Sequence, residues 1–139
     1  MNNEQTKSPL VLERIAFEEF NYSRDVNTGS SPSEYEMNFT RQIGQSEDNK
    51  HFRVSLTANV WSKGADKINL KVTAVGFFFC EEEDEKLKQE LINKNSVAIL
   101  FPYLRSQISL VTVQPDILPI CIQPINIVGL FEDAEKDKQ

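Results

Sequence analysis

The sequence predicts an α+β fold: a four-stranded antiparallel sheet followed by a long helix and a short C-terminal helix. Three observations predict it. Four segments with strand-type alternation fill the chain as far as Phe79, and helical periodicity begins only after them. The stretch Val97 to Val113, placed on a helix, is apolar on two opposite sides rather than one. Beyond it, Pro115, Pro119 and Pro124 exclude a helix and require an extended segment that crosses the surface.

Residues 1–9 are expected to be disordered, as a polar terminus with nothing to pack. Leu10 to Phe20 is a first strand with imperfect alternation: Val11, Glu13, Ile15 and Phe17 share one parity, Leu12, Arg14, Ala16 and Glu18 the other. Asn21 to Ser33, with its Asn-Thr-Gly-Ser-Ser-Pro-Ser run, is a loop by turn chemistry. Glu34 to Ile43 alternates Tyr35, Met37 and Phe39 against Glu36, Asn38 and Thr40, the pattern of a half-buried strand. Gly44 to Lys50 is a polar turn. The third strand is the clearest, with Phe52, Val54, Leu56, Ala58 and Val60 on one face. A short turn, Ser62 to Asp66, leads into Ile68, Leu70, Val72 and Ala74, so these two strands form an antiparallel hairpin. On the other face of the fourth strand, Asn69, Lys71 and Thr73 give way to Val75, Phe77 and Phe79. That end is apolar on both sides and needs a cover, for which the proline-bearing segment is the candidate.

Glu81 to Glu85 places acids at the favourable end of a short helix carrying Leu87 and Leu91. On the long helix, Val97, Leu100, Phe101, Leu104, Ile108 and Val111 form one stripe. Ile99, Tyr103, Leu110 and Val113 form the opposite one, with Ser106 among them. A narrow wedge of Arg105, Ser109 and Thr112 is left to face water. A helix buried on both sides in so short a chain calls for a second copy. Either stripe could meet it; the fuller one, through Val97, Phe101, Leu104, Ile108 and Val111, is the expected oligomer interface. Pro102 either kinks this helix or marks its start. Pro124 is expected to open the last helix, Ile125 to Phe131, ahead of a charged tail, residues 132–139. The chain thus reads as one domain, residues 10–131.

Composition narrows the function. With 15 Lys and Arg against 21 Asp and Glu, the formal net charge is −6, which argues against nucleic acid or an anionic membrane surface as partner. No apolar run is long enough to span a bilayer, and the N-terminus lacks the basic start and apolar stretch of a signal peptide, so a cytoplasmic protein is expected. Cys80 and Cys121 are then expected to be reduced and buried rather than paired.

Catalytic chemistry finds little support. His51 starts a strand without an evident nucleophile or carboxylate partner and reads as a surface or edge residue. There is no Cys-x-x-Cys, no His-Glu pair on a helix, no carboxylate-rich metal loop and no Gly-x-Gly phosphate cradle. No cofactor or metal is expected, and enzyme is the weaker reading. What stands out is apolar surface beyond the needs of a monomer, enough to line a groove for an extended peptide.

At these residues the chain resembles the protein-export chaperone SecB. Ile99-Leu100-Phe101-Pro102-Tyr103-Leu104-Arg105 is similar to the Ile-Leu-Phe-Pro-Tyr-Ala-Arg block that leads the family's long helix. Leu118-Pro119-Ile120 is similar to its crossover, and Gln123-Pro124-Ile125-Asn126 with Leu130-Phe131 to its Ala-Pro-Val-Asn…Leu-Phe helix start. Gly76-Phe77-Phe78 resembles its Gly-Ile-Phe, and Arg14-Ile15 its first strand. The resemblance implies a homotetramer, a dimer of dimers with long helices sandwiched between sheets. It implies ATP-independent binding of unfolded or precursor proteins and delivery to the translocase ATPase SecA. By the same resemblance, Phe77, Phe79, Tyr103, Leu118 and Ile120 line the client groove, and Glu19 is a SecA contact. Ser23 and Lys71 depart from the acidic face the family uses there. SecB-like chaperones dedicated to the antitoxin of a toxin–antitoxin pair are an alternative, as is an interaction protein with one fixed partner.

Overall fold

The computed structural model describes residues 9–26, 32, 34–63 and 67–137. Four strands, β1 (Leu10–Arg24), β2 (Tyr35–Gln45), β3 (His51–Ser62) and β4 (Ile68–Cys80), form one antiparallel sheet in the order β1-β4-β3-β2. Then come α1 (Glu85–Glu90), a π-helical turn (Leu91–Asn95), α2 (Ser96–Val111) and, after an extended crossing, α3 (Ile127–Asp137). The α+β architecture is the one expected. Residues 1–8, and the central parts of the two predicted loops at 27–31 and 64–66, lie outside the described residues.

The hairpin of β3 and β4 is the middle of the sheet because its alternation is the most regular. Val54, Leu56, Ala58 and Val60 face the helices with Ile68, Val72, Ala74 and Phe78, all buried. β1 reaches the same face by a different device. Two β-bulges, at Leu12/Arg14 and Phe17/Glu19, each insert one residue. Because side chains alternate with period two, each insertion flips the parity, so Leu10, Leu12, Ile15, Phe17 and Tyr22 all pack toward the core. The uneven alternation of this segment is the sequence trace of those bulges. The strand runs past Phe20, its expected end, because Asn21 to Arg24 stay in register with Lys71 to Ile68.

The long helix lies across the core face. Val97, Leu100, Phe101, Leu104 and Ile108 are buried against the sheet, and Phe101 meets Phe39 of β2 edge-on, with ring centroids 5.7 Å apart. Each side chain fully buried in this way contributes roughly 1.5–3 kcal/mol. Gly76 permits the close approach: a Cβ there would lie 2.6 Å from Phe78 and 2.7 Å from Leu100. Pro102 sits inside α2 rather than at its start. Both Pro102 and Ala98, whose carbonyl would have taken the missing N–H, are exposed, so water can serve that carbonyl.

Several local expectations change. Asp84 caps α1 by accepting the Leu87 N–H at 3.2 Å, so Glu81–Glu83 precede the helix. Asn126, not Pro124, caps α3 by accepting the Gly129 N–H at 3.0 Å, and the helix continues to Asp137 through most of the expected tail. The Pro9 carbonyl accepts the Glu81 N–H at 3.0 Å, which ties down the end of the expected disordered segment. No helix among the described residues is long and apolar enough to cross a membrane.

Candidate functional site

The stripe expected at an oligomer interface is instead the chain's own core contact. Val97, Leu104 and Ile108 have no accessible surface and Phe101 is buried, because the sheet needs them; Val111 is half-buried. The opposite stripe is the free one. Tyr103, Leu110 and Val113 are 48%, 66% and 61% exposed. With half-buried Ile99 and exposed Ser106 they recur at spacings of four, three, four and three, the seam along which two helices pack, although α2 ends at Val111 and Val113 lies just beyond it.

The groove candidates are divided between two sides of the sheet. Phe77 and Phe79 point to the outer face, opposite Phe78 and the helices. There the cover is not the proline-bearing segment but neighbouring side chains. The Arg14 guanidinium stacks 4.1 Å from the Phe77 ring centroid, His51 lies 5.2 Å from Phe79, and Val75 is buried. A cation over an aromatic face is favourable, and Arg14 shields the Phe77 ring in this way. His51 is exposed, as expected, at the start of the central strand β3, yet it has carboxylate partners. Its Nδ1 is 2.8 Å from Asp48 and its Nε2 3.7 Å from Glu13. Tyr103, Leu118 and Ile120 lie on the helical side; Ile120 is buried, and Leu118 is 74% exposed.

The crossing segment is built more firmly than its sequence suggests. Thr112 and Ser109, assigned by periodicity to a water-facing wedge, are its anchors. The Thr112 hydroxyl accepts the Ile120 N–H at 2.8 Å and donates to the Ile108 carbonyl at 2.8 Å; Ser109 donates to the Ile120 carbonyl at 2.9 Å. Thr112 is wholly buried as a result. Arg24, at the end of β1, holds Asp116 through two hydrogen bonds of 2.7 and 3.0 Å. Its pKa is raised above the ordinary arginine value, first by that bond. Ile117, Ile120 and Ile122 turn inward. Cys121 therefore turns out and is exposed, contrary to expectation, while Cys80 is buried; neither is in a disulfide. A hydroxyl three residues from another at a helix end, followed by prolines, was the signal for these anchors. It was missed because polar residues on a helix read as solvated.

The remaining outer face is polar and electrically balanced. Thr57 and Thr73 share a hydrogen bond of 2.8 Å, and Asn59 donates to Asn38 at 3.0 Å. Glu18 pairs with Arg53 at 2.9 Å and Glu19 with Lys71 at 3.3 Å, while Ser23 stands exposed opposite Asn69. Among the described residues no group of His, Cys, Asp or Glu side chains could hold a metal ion.

At the other end, α3 docks beside the π-helical turn. Arg41 of β2 donates to the Asn93 carbonyl and stacks 4.7 Å from Phe131, and Lys94 pairs with Glu132 at 2.9 Å. These groups border an open cavity of about 540 Å³. Lys88 is buried nearby, bonded to the Asn49 carbonyl and 5.4 Å from the Phe52 ring.

Comparison with known proteins agrees with this architecture. The family model of preprotein translocase subunit SecB matches residues 7–138. The protein-export protein SecB of Magnetococcus marinus is 30% identical over 132 residues, 93% of this chain and 83% of that one. An uncharacterized protein of Methanocaldococcus jannaschii is 39% identical over 72 residues. That match covers 52% of this chain, which spans about half of the archaeal protein, 46%. The fold is shared with a SecB-like chaperone of Mycobacterium tuberculosis, solved in complex with a peptide from the HigA1 antitoxin. The TM-score is 0.68 at 13% identity, over 84% of this chain and 90% of that one. With sheet order, doubly apolar helix and family match in accord over nearly its whole length, the chain belongs to the SecB family.

Proposed function

We propose that this chain is an ATP-independent holdase chaperone of the cytoplasm, one that binds non-native polypeptide and so serves protein export. It acts by binding rather than by catalysis. The observation that carries the reading is the apolar surface the fold leaves uncovered on α2 and on the crossing segment, Tyr103, Leu110, Val113 and Leu118. Exposed surface of this kind serves association, and apolar burial is tolerant of sequence, as a chaperone of many clients requires.

The surface divides between two tasks. The four-three spacing of Ile99, Tyr103, Ser106 and Leu110 suits a second α2, with Val113 just past the helix end, so this seam pairs copies of the chain on the way to a dimer of dimers. Leu118, on the crossing segment, is left for client, with Tyr103 at the seam's N-terminal end. Ile120 supports the segment from beneath, and Phe77 and Phe79 contribute only where Arg14 and His51 swing aside.

A second reading, a dedicated chaperone of one partner such as an antitoxin, is favoured by the outer face. With Lys71 on Glu19 and Ser23 beside them, that face lacks the acidic field that the family resemblance assigns to SecA docking. One experiment tests both. The purified chain is assayed for suppression of aggregation by a chemically unfolded model protein and, in parallel, for binding to SecA. Suppression with SecA binding supports the export chaperone. Suppression without it supports a general holdase that does not deliver to SecA, and no suppression removes the general holdase and leaves the dedicated reading.

A further inference from the structure

We propose that Thr112 and Ser109 are positioning residues for polypeptide binding: their hydroxyls hold the crossing segment so that Leu118 stands out to meet an extended apolar stretch of client. The inference rests on the holdase reading above and adds the residues that shape its binding surface.

Pro115, Pro119 and Pro124 have no N–H, and among the described residues the segment is not one of the strands of the sheet, so partners outside the sheet ladder help to hold it. Ile120 finds both of its partners on one turn of α2. Its N–H goes to the Thr112 hydroxyl oxygen at 2.8 Å and its carbonyl takes the Ser109 hydroxyl at 2.9 Å. The Thr112 hydroxyl directs its proton to the Ile108 carbonyl, so at this buried point it both donates and accepts. At the other end Arg24, with a side chain only 9% exposed, clamps Asp116. Between these two fixed points Ile117 is buried and Leu118 is 74% exposed, the most exposed large apolar side chain among the described residues. A leucine held in water by a rigid frame has little ordering entropy left to lose when it is covered, and preorganisation of this kind improves affinity.

The test compares Thr112→Val, Thr112→Ser and Ser109→Ala with the unmodified chain. Three quantities are read: Kd for an α-lactalbumin kept unfolded by reduction and carboxymethylation, hydrogen exchange at the Ile120 amide, and thermal unfolding. Thr112→Val is expected to speed exchange at Ile120 and raise Kd about tenfold, while Thr112→Ser keeps both near the unmodified values. Ser109→Ala, at a half-buried site, shows the same direction with less risk to folding. Val72→Ala, a core change far from the segment in sequence, is the stability-matched control. Faster exchange with unchanged Kd overturns the inference. So does an equal rise of Kd in Val72→Ala, which marks a purely structural effect. If the unmodified chain does not bind the unfolded protein at all, the holdase reading fails, and this inference with it.

Discussion

Lys71 on β4 reaches Glu19 on β1 across the outer face of the sheet, its Nζ 3.3 Å from the carboxylate. Both side chains are nearly half exposed, so the pair contributes no more than about 1 kcal/mol to stability. Its consequence is in the field. Glu18 is matched in the same way by Arg53 at 2.9 Å, so Glu18 and Glu19 each already face a cation from another strand.

Lys71→Glu should therefore change association more than folding. Two carboxylates brought together across the strands should cost about 0.5–1 kcal/mol. The same change turns the face acidic beside Glu18 and Glu19, and binding to SecA should strengthen at low salt and weaken as salt is added. Titration at two ionic strengths checks this. Equal affinity of both chains at low salt would show that the outer face is not where a basic partner docks.

The two stripes of α2 should respond differently to substitution. Leu104→Ala empties a fully buried site against the sheet and should cost about 2–5 kcal/mol of protomer stability. Leu110→Lys or Val113→Lys, at positions 66% and 61% exposed, should leave the protomer folded and lower its mass in solution. Light scattering and thermal unfolding on the same samples separate the effects. An assembly that survives Leu110→Lys and Val113→Lys together would place the copy-to-copy contact elsewhere.

Gly76→Ala tests how closely the long helix approaches the sheet. The added methyl meets Phe78 at 2.6 Å and Leu100 at 2.7 Å, both ends of side chains in the core. Strain from overpacking of this kind is about 1–3 kcal/mol. Urea unfolding should show that loss. A variant as stable as the unmodified chain would mean that Leu100 moves aside freely.

The strands were legible because β3 and β4 alternate without interruption, and the doubly apolar helix because its stripes span several turns. What each stripe faces was not legible: Leu104 and Leu110 are the same residue type, and only the docking of α2 on the sheet decides which is covered. The bulges of β1 were visible as broken alternation, but not the Arg24 to Asp116 link, which joins residues ninety-two positions apart. Tyr103 and Leu118 kept exposed apolar surface. Phe77 and Phe79 are half-buried, because Arg14 and His51 arrive from other strands and partly cover them. Thr112 was misread for a general reason: a hydroxyl satisfied by a distant backbone looks, in sequence, like one satisfied by water.

The turn between β2 and β3 should make stability depend on acid pH through Asp48. Its carboxylate accepts from the Ser46 hydroxyl, from the Lys50 N–H at 2.9 Å, and from the His51 ring at 2.8 Å and backbone N–H at 3.2 Å. These bonds, Ser46 first, hold its pKa well below the usual carboxylate range. They also close a turn in which Asn49 takes a left-handed φ of 60°. A carboxylate with a lower pKa in the folded than in the unfolded chain stabilises the fold above its unfolded value. That contribution fades as pH falls from about 3.9 toward the folded value. Asp48→Asn removes the charged acceptor, so the variant should be less stable at pH 7, and its deficit should shrink as pH drops below about 4. Urea midpoints for both chains, taken between about pH 7 and about pH 2, check the convergence. Curves that stay parallel through the acid range would show that Asp48 does not titrate differently in the folded chain, and that the turn is held by Ser46 and the backbone alone.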